Sequence, residues 1–192
     1  MAVEEFEDTD EVEKKQGSIR HEFWELIRVL VISLLIVIPI RYFVAQPFVV
    51  RGASMEPTFQ DGEYLIVDEL TYRFHPPERG DVIILRYPRD LRKFFIKRVV
   101  GLPGETVIIE GGKIKIKSGD GGVPILLEES YLPANILTYP DDVMALGEGE
   151  FFVLGDNRGD SADSRVWGVL ESNKLVGRAF LRLWPLSRVS VF

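Results

Sequence analysis

The chain is 192 residues long, with 23 Lys and Arg against 30 Asp and Glu, a formal charge of −7, two His and no Cys. The length suits one ordinary domain whose core needs no covalent staples. Without cysteine there is no disulfide framework, no thiolate nucleophile and no Cys-based zinc site, and two histidines are too few for a His-rich metal cluster. A composition of 46% hydrophobic and 28% charged residues is that of a soluble globular protein, and the acidic balance argues against nucleic acid as a partner.

The charge is unevenly placed. Nine acids against four bases up to Arg28 give −5, which leaves −2 for the rest of the chain. Residues 1–21 are rich in acids and poor in apolar side chains, and read as a disordered tail. Residues 22–44 read as a membrane-spanning helix. Val29–Ile40 is uncharged and, extended to Phe23–Phe43, the segment reaches about 31 Å at roughly 1.5 Å per residue. Arg28 and Arg41 can snorkel at its ends, Trp24, Tyr42 and Phe43 suit the interfaces, and Pro39 lies near the far end. A cleaved signal peptide needs small residues flanking the cut, but cleavage after Ala45 or Ala53 would put Phe43 or Arg51 in that pattern. The segment therefore reads as an uncleaved anchor. Lys14, Lys15, Arg20 and Arg28 precede its uncharged run, against Arg41 and Arg51 beyond it, a bias that favours a cytoplasmic N-terminus and residues 45–192 outside.

From Phe48 onward short β-type runs alternate with Gly, Pro and Asp. They are Tyr64–Val67, Val82–Tyr87, Phe94–Val100, Thr106–Glu110, Lys113–Lys117, Phe151–Leu154 and Ala179–Leu183, with a hairpin turn at Glu110–Lys113 and a short helical turn near Glu171–Leu175. The expected fold is mostly β: an antiparallel sheet or partly closed barrel carried by one N-terminal helix.

The residue inventory narrows the chemistry. A serine nucleophile needs a base. His21 falls before the anchor and His75 precedes two prolines, so a Ser-His-Asp triad survives only if His75 serves, and lysine is the remaining base. In Phe94–Val100 a strand puts Phe95, Lys97 and Val99 on one face and Arg98 on the other. Burial there lowers the lysine pKa, and a fall from about 10.4 to near 7 costs roughly 4–5 kcal/mol. The same alternation also describes an amphipathic strand with a snorkelling lysine. Arg51–Thr58 leaves the hydroxyl and N–H of Ser54 accessible among small residues, although an ordinary turn has this composition too. Gly155–Gly168 is rich in Asp, Ser and Arg, but Arg158 and Trp167 spoil a calcium loop and Arg158-Gly159-Asp160 is too short to signify adhesion. A polar loop that orders an active site fits it better.

Taken in order after one apolar helix, these segments resemble the type I signal peptidases, over about Phe23–Trp184. Ser54–Thr58 is similar to the family's nucleophile box, Gly80–Pro88 to its next strand, Lys97–Glu105 to its general-base box and Gly155–Gly168 to its last box. The resemblance implies a membrane-anchored serine endopeptidase that removes signal peptides from exported preproteins after an Ala-x-Ala motif. It works without cofactor or metal, with the bilayer and preproteins as partners, as a monomer in a plasma or thylakoid membrane.

It also implies roles for individual residues. Ser54 is the nucleophile and Lys97 the neutral base; Ser161 orients the lysine, and Asp163 and Arg165 pair in support. Met55, Phe59, Phe95 and Val50 line the pocket next to the cut, and Phe48, Val50, Leu65, Ile84 and Ile96 the pocket two residues earlier. Gly52 stands where some members carry a serine that donates to the oxyanion, and Arg51 where proline is usual. An accessory β lobe around 106–150 is expected to be small. Two rivals are a self-cleaving relative of the repressor-type autoproteases, disfavoured by the anchor, and an inactive β domain that binds signal peptides, disfavoured by the intact Ser54, Lys97, Ser161, Asp163 and Arg165.

Overall fold

The computed structural model describes residues 21–38, 45–119 and 121–192. The chain divides into two units, 1–43 and 44–192. In the first, residues 21–38 form helix α1. Neither Gly nor Pro interrupts that stretch, and its Leu side chains lose little freedom in a helix. Among the described residues no helix is long and apolar enough to cross a membrane. The span expected over 22–44 runs on into 39–44, outside the described residues, as does all but His21 of the expected tail.

The second unit is antiparallel β. Its strands are β1 (Ala45–Val49), β2 (Tyr64–Asp68), β3 (Val82–Tyr87), β4 (Asp90–Gly101), β5 (Glu105–Glu110), β6 (Lys113–Ser118), β7 (Ile125–Leu126), β8 (Asp142–Ala145), β9 (Glu150–Leu154), β10 (Leu170–Glu171), β11 (Leu175–Trp184) and β12 (Ser190–Val191), with a one-turn helix α2 (Ser164–Trp167). The larger sheet runs β1-β2-β11-β3-β4-β9-β10, with β12 on β11; the smaller runs β7-β6-β5-β8. Pro47 fits β1 because β1 is an edge strand, where a missing N–H breaks no ladder.

Every strand read from the sequence is present, some of them longer than expected. The turn expected near Glu171–Leu175 is a 3₁₀ turn over Ser172–Lys174. Strands β7, β10 and β12 escaped the reading because two residues carry no alternation, β8 because its four residues are too few to show a period, and β1 because its apolar residues continue the apolar run before it in sequence.

β4 positions the site. Its inner half is buried throughout, and the register sets Lys97 opposite Ile83 on β3 and Val99 opposite Val153 on β9. Alternation sends Phe95 and Val99 into a cluster with Ile83, Leu85, Phe151, Val153 and Leu170. Ile96 enters another, with Val50, Met55, Phe59, Leu65, Val67, Val82, Ile84 and Ala179. At the corner into β5 the Glu105 carboxylate accepts the Leu102 N–H at 2.9 Å and the Arg79 guanidinium at 2.6 Å. Gly101 is needed there, since a Cβ would lie 2.4 Å from Val107 and 2.7 Å from Leu146. β5 and β6 close through Gly111 and Gly112, at φ 57° and 77°, as a two-residue hairpin requires.

A third cluster joins the two sheets: Val100, Phe152 and Leu154 pack with Val107, Ile109, Ile114, Ile116 and Leu146. Phe152 is wholly buried at that seam. Phe152→Ala should destabilise the β unit by about 3–5 kcal/mol, read as a lower urea midpoint with an unchanged slope.

Candidate active site

Three segments far apart in sequence meet here: the turn 51–59 between β1 and β2, the inner end of β4, and the loop 155–163 ahead of α2. Asp156, buried, ties them together. Its carboxylate takes Arg98 of β4 in a bidentate pair, Nε to Oδ1 at 2.8 Å and Nη2 to Oδ2 at 2.5 Å, and the Thr58 hydroxyl of the turn at 2.5 Å. Asn157 adds two bonds to the turn, from its N–H to the Ser54 carbonyl at 3.1 Å and from its side chain to the Ala53 carbonyl at 3.2 Å. From below, Arg182 of β11 donates to the Thr58 carbonyl at 2.7 Å and pairs with buried Glu63. The turn is thus held through the carbonyls of Ala53, Ser54 and Thr58 and the Thr58 hydroxyl.

At the junction, Lys97 Nζ lies 2.7 Å from Ser54 Oγ and 2.8 Å from the Ile96 carbonyl oxygen. Lys97 is 3% exposed and its amine stands 5.4 Å from the Phe95 ring centre. Among the described residues it makes no ion pair. Burial pulls its pKa down from 10.5 to about 8, against the fields of Asp163 and Asp156, which raise it.

Asp163, fully buried, is the N-cap of α2 and pairs with Arg165, Nη2 to Oδ2 at 2.7 Å and Nε to Oδ1 at 2.8 Å. It also accepts the Gly155 N–H at 3.1 Å. Gly155 is a packing necessity: a Cβ there would lie 2.2 Å from Ser161 Oγ and 2.4 Å from the Ser54 carbonyl oxygen. Ser161 is therefore close to the turn, but its buried hydroxyl has no hydrogen-bond partner among the described residues, and none joins it to Lys97.

A cavity of about 360 Å³ opens beside the pair. Of the residues expected to line pockets, Phe48, Val50, Leu65, Ile84, Phe95 and Ile96 do line it. Met55 and Phe59 do not; each is wholly buried in the cluster that includes Val50, Leu65 and Ile96. The reason is the turn: Met55 and Phe59, four residues apart, share its buried side while Glu56 and Pro57 are exposed, and the Phe59 N–H donates to the Met55 carbonyl at 2.9 Å. Val49, Phe94, Asp160 and Ala162 also line the cavity and were not singled out from the sequence. No motif marks them, because they reach the site from three different segments. Gly52, at φ 84°, gives its N–H to Asp61 at 2.7 Å, whereas the Ser54 N–H has no acceptor among the described residues. His75 is exposed and outside the cavity, so no imidazole serves the serine among the cavity residues.

The arrangement is a serine hydroxyl held by a desolvated amine at the end of an apolar slot, beside a free backbone donor. A family model described as signal peptidase, peptidase S26, matches residues 23–184. A probable signal peptidase I-2 from Synechocystis sp. is 36% identical, over 94% of this chain and 83% of the relative. A signal peptidase I from Leptolyngbya laminosa is 39% identical, over 86% of this chain and 81% of the relative. A chloroplastic thylakoidal processing peptidase from Arabidopsis thaliana is 33% identical, over 78% of this chain and 45% of that longer protein.

Because the folded pKa of Lys97 lies below its ordinary 10.5, the unfolded chain binds the extra proton between about 8 and 10.5. The burial cost is therefore complete below pH 8 and is relieved as pH rises through that window. Lys97→Met should gain about 2–3 kcal/mol at pH 7 and little at pH 10.5, measured by urea unfolding at the two pH values.

Proposed function

Because the chain belongs to the signal peptidase family, peptidase S26, we propose that it cuts signal peptides from preproteins with Ser54 as nucleophile and Lys97 as general base, after an Ala-x-Ala motif. The observation that carries this reading is the 2.7 Å contact between Ser54 Oγ and a Lys97 amine whose pKa is lowered to about 8 by burial. A neutral amine at that distance can take the hydroxyl proton as Oγ attacks the scissile carbonyl carbon. The Ser54 N–H, with no other acceptor among the described residues, is then available to the oxyanion. Collapse breaks the peptide bond, and the leaving amine takes the proton back from Lys97. A water, deprotonated in turn by Lys97, attacks the acyl ester and releases Ser54.

Ser161 is the orienting hydroxyl in this reading; it is buried beside Gly155 and has no competing partner among the described residues. Asp163 and Arg165 hold the loop through the Gly155 N–H and α2. Gly52 has no side chain to donate to the oxyanion, and its N–H is engaged by Asp61, so the Ser54 N–H carries that role. Phe48, Val50, Leu65, Ile84, Phe95 and Ile96 give the slot apolar walls, and small side chains at the cut fit such shallow walls best.

The proposed anchor is α1 and the residues that follow it. Its apolar side chains from Val29 to Ile38 are exposed on every side, which suits lipid far better than water. The N-terminus is then cytoplasmic and the β unit lies on the outer face of a plasma or thylakoid membrane, where a monomer meets exported preproteins.

In detergent, the full chain should cleave an Ala-x-Ala preprotein, and Ser54→Ala and Lys97→Ala should each lose activity on the order of 10³-fold or more. Parent-like activity in either variant sinks the dyad. Because the lysine works as the free amine, kcat/KM should rise with pH through about 8. A limb centred near 10.5 would contradict a buried base.

A further inference from the structure

The segment between β7 and β8, residues 127–141, belongs by sequence to the smaller sheet, yet its polar side chains turn toward the larger one. Arg158 of the active-site loop has a guanidinium only 2% exposed. A buried cation needs a partner, and Glu129 supplies it with both carboxylate oxygens, Oε2 to Nη1 at 3.1 Å and Oε1 against Nη2. Thr138, from the same segment, accepts from Arg158 Nη1. The Tyr131 hydroxyl donates to Glu129 Oε1 at 2.6 Å, and the Tyr131 ring lies 4.0 Å from the Arg98 guanidinium carbon. The Tyr139 carbonyl accepts from Arg165 Nη1 at 2.7 Å.

Each arginine held in this way holds something nearer the chemistry. Arg158 donates Nε–H to the Gly155 carbonyl at 3.0 Å. Arg98 clamps Asp156, whose neighbour Asn157 bonds the Ser54 carbonyl. Arg165 clamps Asp163, which accepts the Gly155 N–H. Gly155 is thus pinned at both its N–H and its C=O, with Ser161 and the Ser54 carbonyl against its α-carbon.

We propose that the 127–141 segment is a latch that sets the position of the catalytic pair, and that Glu129 and Tyr131 are positioning residues for the reaction of Ser54 and Lys97. The proposal rests on the peptidase reading for its kinetic consequences but not for its geometry. The groups whose charges reach Lys97 are Asp163, Asp156 and Arg165, with Asp160 on the same cavity wall. Glu129 and Arg158 act through position instead: releasing Arg158 frees the Gly155 carbonyl, loosens the loop and readmits water to the amine. The Lys97 midpoint then moves up, toward that of a solvated lysine.

The test uses the full chain in detergent and compares the parent with Glu129→Gln and Tyr131→Phe. Tyr131→Phe keeps the ring over Arg98 and removes only the hydroxyl. Lys97 is titrated by NMR of its labelled ε-carbon, assigned with Lys97→Met, and kinetics are run on a signal-peptide-bearing preprotein with Ser54→Ala as the blank. In Glu129→Gln the midpoint should rise, with kcat down about tenfold and KM changed by less than twofold. Tyr131→Phe should move both in the same direction by less. A folded Glu129→Gln whose Lys97 midpoint is unmoved or lowered overturns the latch; should it not fold, an unmoved midpoint in Tyr131→Phe does so. The NMR midpoint needs no substrate, so a parent that fails to cleave would sink the peptidase reading and leave the latch to be judged on the titration.

Discussion

The structure turns on one constraint: an amine must be buried without a counter-charge in contact. Carboxylates are plentiful around Lys97, and a single free one against it would make an ordinary buried salt bridge and keep the lysine protonated. Instead the two acids whose charges reach the amine are already taken by arginines, Asp156 by Arg98 and Asp163 by Arg165, in two-pronged contacts between 2.5 and 2.8 Å. The acids still raise the lysine pKa and Arg165 lowers it, but burial outweighs them. Two ion pairs thus stand around one amine that is hydrogen-bonded but has no counter-charge in contact.

The fold makes that possible by bringing three segments to one point with no freedom left. β4 sits between β3 and β9, so the register of both neighbours fixes Lys97. The turn that carries Ser54 is tied to Asp156, Asn157 and Arg182, residues on a loop and a strand more than a hundred positions away for the last two. Gly155 lets the loop close to within contact of the turn, a place where any side chain would push Ser54 away from Lys97. Interior packing transmits such displacements rather than absorbing them.

Local features were legible in the sequence and cross-chain pairings were not. The alternation of Lys113–Lys117 and the Glu110–Lys113 turn gave β6 and its hairpin directly, because period and turn chemistry are properties of adjacent residues. Through the family resemblance Lys97 was reachable, the inventory alone giving only lysine as a type of base, since cysteine is absent and a triad survived only if His75 served. The partner of Arg98 was not, because nothing near residue 98 signals a carboxylate 58 positions on. Glu129 and Arg158, 29 apart, were unreadable for the same reason. Met55 and Phe59, pocket residues by the family resemblance, lie in the buried cluster with Val50 and Leu65 and not among the residues that line the cavity, a placement set by the turn's fold and not by sequence position.

Lys97 and Arg98 are neighbours of the same formal charge, both buried, and the strand gives them opposite duties. Alternation delivers one to Ser54 and the other to Asp156. Their chemistry matches the division. Lysine gives up its proton when desolvated, so burial converts it into a base; guanidinium keeps its charge under the same treatment and presents a planar fork to a carboxylate. Exchanging them would put a permanent cation against the serine and a titratable, single-point donor against Asp156. The loop follows the same logic, since Arg158 and Arg165 present the same planar fork to Glu129 and Asp163. A buried amine whose pKa desolvation lowers to about 8 is thereby framed by guanidiniums that occupy the carboxylates around it.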